Sequence, residues 1–158
     1  MGFWDLKCFN LALLAKQGWR LLHCQESLFF RVFKSKYFPN WSFLEATIPS
    51  HASYAWRSIA QSRNLLIQGS CWRVGTGSSI NVWQDKWLSM PSNQKVLSPR
   101  TILPSEAHVS DLIDGSDFQP RWKGTLVDSI FFPFEADIIN SIPLSVRRPP
   151  NSLIWTKN

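Results

Sequence analysis

The chain is 158 residues long, with a net charge of +6, 44% apolar residues and 18% charged ones. Nine Trp and eleven Phe supply apolar area for a core, so wholesale disorder is excluded. No apolar run approaches the roughly 18 residues of a membrane span, and the first residues lack the basic-then-apolar order of a secretory leader. The excess charge is unevenly placed: residues 1–87 hold ten Lys/Arg against four Asp/Glu, and residues 88–158 hold seven of each. A basic first half suits contact with phosphates or another acidic surface; the plainer reading is a solvated face. Cys8, Cys24 and Cys71 form no C-x-x-C and no zinc-ligand spacing. Idle or buried thiols in a reducing, intracellular setting (cytoplasm or nucleus) are expected. Met1-Gly2 is no myristoylation signal, because Leu6 stands where Ser or Thr is needed.

Residues 5–24 predict a first helix, capped by Asp5, with Leu11, Leu14, Ala15, Gly18, Leu21 and Leu22 as its apolar stripe. Gly18 within that stripe predicts close approach of another element. Ser27 opens a second helix that Pro39 ends, with Leu28, Phe29, Val32 and Phe33 apolar and Arg31, Lys34 and Lys36 basic. A turn near Gln25-Glu26 makes the two an αα-hairpin. Arg20, Arg31, Lys34 and Lys36 interleave with Phe30, Tyr37 and Phe38, which suits nucleic-acid backbone and base stacking. Helical spacing argues instead that these aromatics are core. Residues 39–52 read as a loop, with Trp41, Phe43 and Leu44 against the helices and His51 exposed.

Ser53–Gln68 predicts a third helix, with Ser53 as N-cap and Gly69 as a stop in positive φ. Trp56, Ile59, Ala60, Arg63, Leu66 and Ile67 share its inner face. Ser70–Val74 and Ser79–Trp83 then read as a Trp-bearing β-hairpin around Gly75-Thr76-Gly77-Ser78. Ile80 and Val82 share one face of the second strand. Asp85 is read as structural, pairing with Arg57, Arg73 or a backbone N–H.

Residues 88–106, with Pro91, Pro99 and Pro104, read as a linker or an extended segment wrapping a surface. His108–Ile113 is a short helix or strand entry, and Asp114-Gly115-Ser116-Asp117 a turn. Trp122–Phe131 predicts a helix with Trp122, Leu126, Val127 and Ile130 inward, broken by Pro133. Phe134–Ser141 predicts another, stopped by Pro143. Arg147-Arg148-Pro149-Pro150 is exposed, and Leu153-Ile154-Trp155 is an apolar tail needing a partner surface, in this chain or outside it.

No constellation carries catalysis. Gly75-Thr76-Gly77 lacks the Lys-Ser/Thr ending of a phosphate loop and opens no helix. Asp111, Asp114 and Asp117 lack the Gly and terminal Glu offsets of a calcium loop. No cofactor or metal is expected.

One pattern is specific. S-Y-x-W-R-S-I from Ser53, W-R-V-G-x-G-x-S-I from Trp72 and W-x-D-x-W-L from Trp83 resemble plant LINE-type (non-LTR) retrotransposon polyproteins. So do Gly2-Phe3-x-Asp5-Leu6, Phe9-Asn10-x-Ala12 through Arg20, Lys36-Tyr37-Phe38-Pro39, Val109-x-Asp111-Leu112-Ile113, Ile142-Pro143-Leu144 and Leu153-Ile154-Trp155. The resemblance is to the connector between the reverse transcriptase core and the zinc-binding and ribonuclease H modules. It departs from the family at Trp4 (commonly basic), Ser89 (commonly Pro) and Asn151 (commonly Asp). The family's Tyr-x-Asp-Asp type motif is absent, and its ribonuclease H acidic cluster would lie beyond Asn158.

The expected fold is mainly α with a small β-hairpin (α+β). Its expected parts are a helical and hairpin lobe over 1–90, a Pro-rich linker over 91–107 and a short-helix segment over 108–158. The resemblance implies a non-catalytic polyprotein fragment, with weak, sequence-independent contact to RNA or DNA backbone through Arg20, Arg31, Lys34, Lys36, Arg57, Arg63 and Arg73. Neighbouring polyprotein modules are the other expected partners, and no membrane is. The alternative is a protein-interaction module docking through aromatic surface and the C-terminal tail.

Overall fold

The computed structural model describes residues 5–90, 94–115 and 118–156. The readings at Met1-Gly2, Trp4, Pro91, Ser116 and Asp117 lie outside them. The chain divides into two units after Gly69, within the stretch 1–90 that the sequence suggests is one lobe.

The first unit is helical. Helix α1 spans Leu6–His23, and Asp5 caps it by accepting from the N–H groups of Lys7 and Cys8 at 2.9 and 3.4 Å. It buries Ala15, Gly18 and Leu21. A Cβ at Gly18 would stand 2.8 Å from Leu66 Cδ1 and 3.0 Å from Phe43 Cε1, so the expected close approach is real. Helix α2, Leu28–Tyr37, starts where the Ser27 hydroxyl accepts from Phe30 N–H. Its inner face is rotated from the expected one. Phe29, Phe30, Phe33 and Tyr37 pack inward, while Leu28 and Val32 stay exposed. The reason is Trp56, a fully buried ring that Phe33, Tyr37, Phe38 and Phe43 surround at centroid distances of 4.7 to 5.8 Å. Of the aromatics that helical spacing assigns to a core, Tyr37 and Phe38 are buried here and Phe30 packs half-buried against them. In the loop before α3, Phe43 and Leu44 tuck in as expected, but Trp41 remains exposed.

Helices α3 (Tyr54–Gln61) and α4 (Arg63–Gly69) replace the expected single helix. Ser53 caps α3 through Trp56 N–H at 3.3 Å. The break falls at buried Ser62, whose hydroxyl and N–H both bond the Ile59 carbonyl, at 2.7 and 3.0 Å. Such back-bonding tightens the last turn and ends it. Gly69 is not in positive φ; it is the last helical residue and runs straight into strand.

The second unit has short helices and short strands. Strand β1, Ser70–Arg73, pairs antiparallel with the last strand, β4, Ser152–Trp155, with Cys71 opposite Ile154. This corrects one expectation: Ser79–Trp83 is not the partner strand. The backbone of the Leu153–Trp155 tail pairs there instead, while the Ile154 and Trp155 side chains stay exposed. The reason lies in the glycine turn. Asn151 Oδ1 accepts from the N–H groups of both Gly75 and Gly77 at 2.9 Å, and Asn151 Nδ2 donates to Ser79 Oγ at 2.8 Å. The turn thus receives the distal segment and delivers β4 to β1. The class itself holds: mainly α with a small β component.

Ile80 and Val82, both fully buried, run beside Ala107 and Val109 through bonds of 2.9 Å from Val82 N–H to the Ala107 carbonyl and from Val109 N–H to that of Ile80. Asp85 accepts from Asn81 N–H at 2.7 Å, the backbone option among its expected partners. The core of this unit gathers Ile80, Val82, Trp83, Trp87, Leu88, Val109, Leu112, Val127, Ile130 and Ile139.

After a 3-10 turn at Val109–Leu112, β2 (Ile113–Asp114) pairs with β3 (Arg121–Trp122). Trp122 therefore sits in a strand rather than in the expected helix, its indole N–H donating to the Ile142 carbonyl at 2.8 Å. Helix α5 is Gly124–Ile130 and α6 is Pro133–Ser141. Phe132 has no side-chain acceptor to cap α6, and its own N–H donates to Ser98 Oγ at 2.7 Å. Glu135, fully buried, accepts from the N–H groups of Leu97 and Ser98 at 2.6 and 3.1 Å and from the Ser98 hydroxyl. Of the two readings of the Pro-rich segment, a wrapped strap fits these bonds.

Candidate nucleic-acid interface

The seven cations singled out from the sequence fall into three groups. Lys34, Arg57 and Arg63 hold the fold. Lys34 Nζ donates to the Trp41 carbonyl at 2.8 Å, and Arg57 donates to that of Ser50. Arg63, half-buried, donates to the carbonyls of Ala60 at 3.0 Å, Leu44 at 3.4 Å and Ala46. Burial lowers the Arg63 guanidinium from its ordinary value. These three fix the loop between α2 and α3, a role with no signature in local sequence. Arg73, in the second unit, donates to Ser152 Oγ at 3.1 Å and ties β1 to β4.

Arg20, Arg31 and Lys36 are exposed on α1 and α2. Arg20 lies over the Phe29 ring at 5.4 Å and Lys36 over Tyr37 at the same distance. The Phe29 and Tyr37 rings are engaged in the first unit's core, so these cations offer charge rather than open rings. Lys16, exposed one turn before Arg20, was not among the candidates; its i, i+4 spacing from Arg20 is the signal that places both on one face. The first unit holds eight Lys/Arg against three Asp/Glu through Gly69, so its net formal charge is positive.

The thiols differ by environment. Cys8 and Cys24 are exposed, whereas Cys71 is buried in β1, and burial pushes its thiol up to about 11. Among the described residues no helix is long and apolar enough to cross a membrane.

With this geometry in hand, similarity to known proteins is informative. The chain is 44% identical over 88 residues to an "Uncharacterized mitochondrial protein" of Arabidopsis thaliana, a match covering 56% of this chain and 57% of that one. It is 36% identical over 97 residues to an Arabidopsis thaliana protein named "Putative ribonuclease H protein", covering 56% of this chain and 15% of the relative. The chain thus spans little more than half of one relative and a small part of the other. No family model matches the chain. No solved structure matches it.

Proposed function

We propose that this chain is a non-catalytic connector of a plant LINE-type reverse transcriptase and ribonuclease H polyprotein. Its contact with nucleic acid is weak, electrostatic and independent of sequence. The observation carrying this reading is the 36% identity to a protein named for ribonuclease H, of which the matched region is 15%. The ordered blocks from Phe9 to Trp155 support the connector assignment. The exposed cations Lys16, Arg20, Arg31 and Lys36 supply the contact.

The test is fluorescence anisotropy with labelled single-stranded RNA and DNA, from low to physiological salt. Four contacts on a single strand give a log–log salt slope no steeper than about −3. Replacing all four cations by Gln abolishes binding. Salt-independent affinity, or none at low salt, sinks the contact.

A second reading has its own observation. Leu6, Phe9 and Leu13 lie at i, i+3 and i+7 on α1, with 78%, 52% and 48% of their surface exposed. On this reading the stripe docks on a neighbouring module of the polyprotein. Amide exchange would decide it: in a longer chain carrying that module, residues 6–13 gain protection only if the stripe docks.

A further inference from the structure

The second unit holds a cleft of about 270 Å³. Its lining combines apolar side chains, Ile113, Pro120 and Leu144, with the Thr76 and Ser110 hydroxyls and the Arg148 guanidinium. Among the described residues Arg148 alone is non-glycine with positive φ, at 44°. A left-handed backbone is unfavourable for a branched-out L side chain, and such outliers concentrate where a site needs a side chain held in place. Its N–H bonds the Ser145 carbonyl at 3.0 Å, and Nη2 bonds that of Gly115 at 2.8 Å. A Cβ at Gly115 would lie 2.9 Å from that Nη2, so glycine there makes room for the guanidinium. A guanidinium has five N–H donors, and the Gly115 carbonyl occupies the direction of one.

Two acids of the adjoining turn and strand have their own neighbours. Asp111 Oδ2 accepts from His108 N–H at 2.9 Å, and Asp114 sits opposite Arg121 in the β2–β3 register. Ser110 is half-buried, and its hydroxyl has no partner among the described residues. The volume lies just below the roughly 300–1,000 Å³ of drug-sized ligand pockets, which favours a small ligand. An apolar wall, two hydroxyls and one fixed cation match a heterocycle carrying an anionic group.

We propose that this cleft binds a single nucleotide unit, its base against Ile113, Pro120 and Leu144 and its phosphate toward Arg148. The proposal rests on the nucleic-acid reading above and adds a contact to base and phosphate in the second unit. The full chain, labelled with ¹⁵N, is titrated with UMP, AMP, uridine and inorganic phosphate, each separately. A mononucleotide shifts the amides of Thr76, Ser110, Ile113 and Gly115, and it binds at least about tenfold more tightly than uridine or phosphate alone.

Arg148→Gln weakens the mononucleotide by about tenfold, the loss of one charge-assisted contact. Leu144→Trp, which narrows the cleft and leaves Arg148 in the chain, weakens it as well. Continued protection of Cys71 from alkylation shows that both variants keep β1 packed. Unchanged affinity in both variants, or shifts confined to α1 and α2, overturns the cleft. The two readings fail separately. If oligonucleotide binding is lost on neutralising Lys16, Arg20, Arg31 and Lys36 while mononucleotides leave the cleft amides unmoved, the cleft falls and the helical contact stands. If a mononucleotide binds the cleft but no oligonucleotide binds the chain, the connector's nucleic-acid contact falls instead.

Discussion

The two units solve the problem of a small core in different ways. In the helical unit, rings converge on one point: Phe33, Tyr37, Phe38 and Phe43 meet around Trp56, and cations on the rim hold loop carbonyls. In the second unit, short elements are fastened by side chains bonding backbone far away in sequence. Asn151 holds the glycine turn, Glu135 and Ser98 hold the Pro-rich strap, and Trp83 reaches the Pro104 carbonyl. The charges follow the same division. Eight Lys/Arg face three Asp/Glu up to Gly69, against nine and eight beyond it. Packing area alone can hold helices that present whole faces. Two-residue strands present too little face, so polar clamps do what area cannot.

The largest effect should come from removing the hub of the first unit. Trp56→Ala leaves a cavity among four rings and costs about 3–5 kcal/mol, read by urea denaturation with far-ultraviolet circular dichroism. Alkylation of buried Cys71 then reports on the second unit, since burial holds that thiol near 11 and out of reach. Labelling that stays slow while helix signal is lost upholds the contrast; labelling that rises in step erases it. Next in size is Glu135→Ala. It strips the acceptor from the N–H groups of Leu97 and Ser98 and from the Ser98 hydroxyl, a loss of about 2–3 kcal/mol. Here Cys71 labelling accelerates first, and the helical signal lags.

How much of this was legible depended on the range of the interaction. Caps at Asp5, Ser27 and Ser53 read directly, because a cap and its N–H groups lie within three residues. The face of α2 was misplaced because Leu28, Phe29, Val32 and Phe33 form as good a stripe as the true one. Only the position of Trp56 selects between them. The pairing of β1 was misread for a related reason. Gly75-Thr76-Gly77 has local turn chemistry, but its N–H groups are claimed by Asn151, more than seventy residues away. At the candidate site, residue type marks the cations and nothing more. That Arg63 and Lys34 are loop ligands could not be read, since the carbonyls they hold are unmarked in sequence. Arg148 gave no signal because a backbone angle is not written in residue type.

Gly18→Ala tests the tightest point of the helical unit, with a smaller effect. Alanine gains up to about 1 kcal/mol in helix propensity, against about 1–3 kcal/mol of overpacking. Its Cβ would meet Leu66 Cδ1 at 2.8 Å and two atoms of the Phe43 ring. Phe43 is itself wedged against Trp56 and cannot swing aside freely, so the net change is a loss of about 1 kcal/mol. A stabilised variant would mean that the ring packing is looser than the hub picture requires.

The smallest effect sits at the start of α1 and depends on pH. The Cys8 thiol, donating to Asp5 at 3.2 Å, and then the N–H groups of Lys7 and Cys8, hold the Asp5 carboxyl below its ordinary value of 3.8. A carboxyl depressed in the folded state stabilises at pH above its unfolded value. That contribution is lost as pH falls through the folded value, where the cap becomes protonated. Acidification below 3.8 should therefore lower the protection of the Cys8 and Phe9 amides, measured against the unstructured exchange rate at the same pH, while the Trp56 hub keeps its protection. Asp5→Asn caps without titrating and should flatten that local response. Cys8→Ala removes the largest of the three donors and should move the transition to higher pH. An Asn variant with the same acid transition at these amides would show that the fraying originates elsewhere, in carboxyls that do not touch α1.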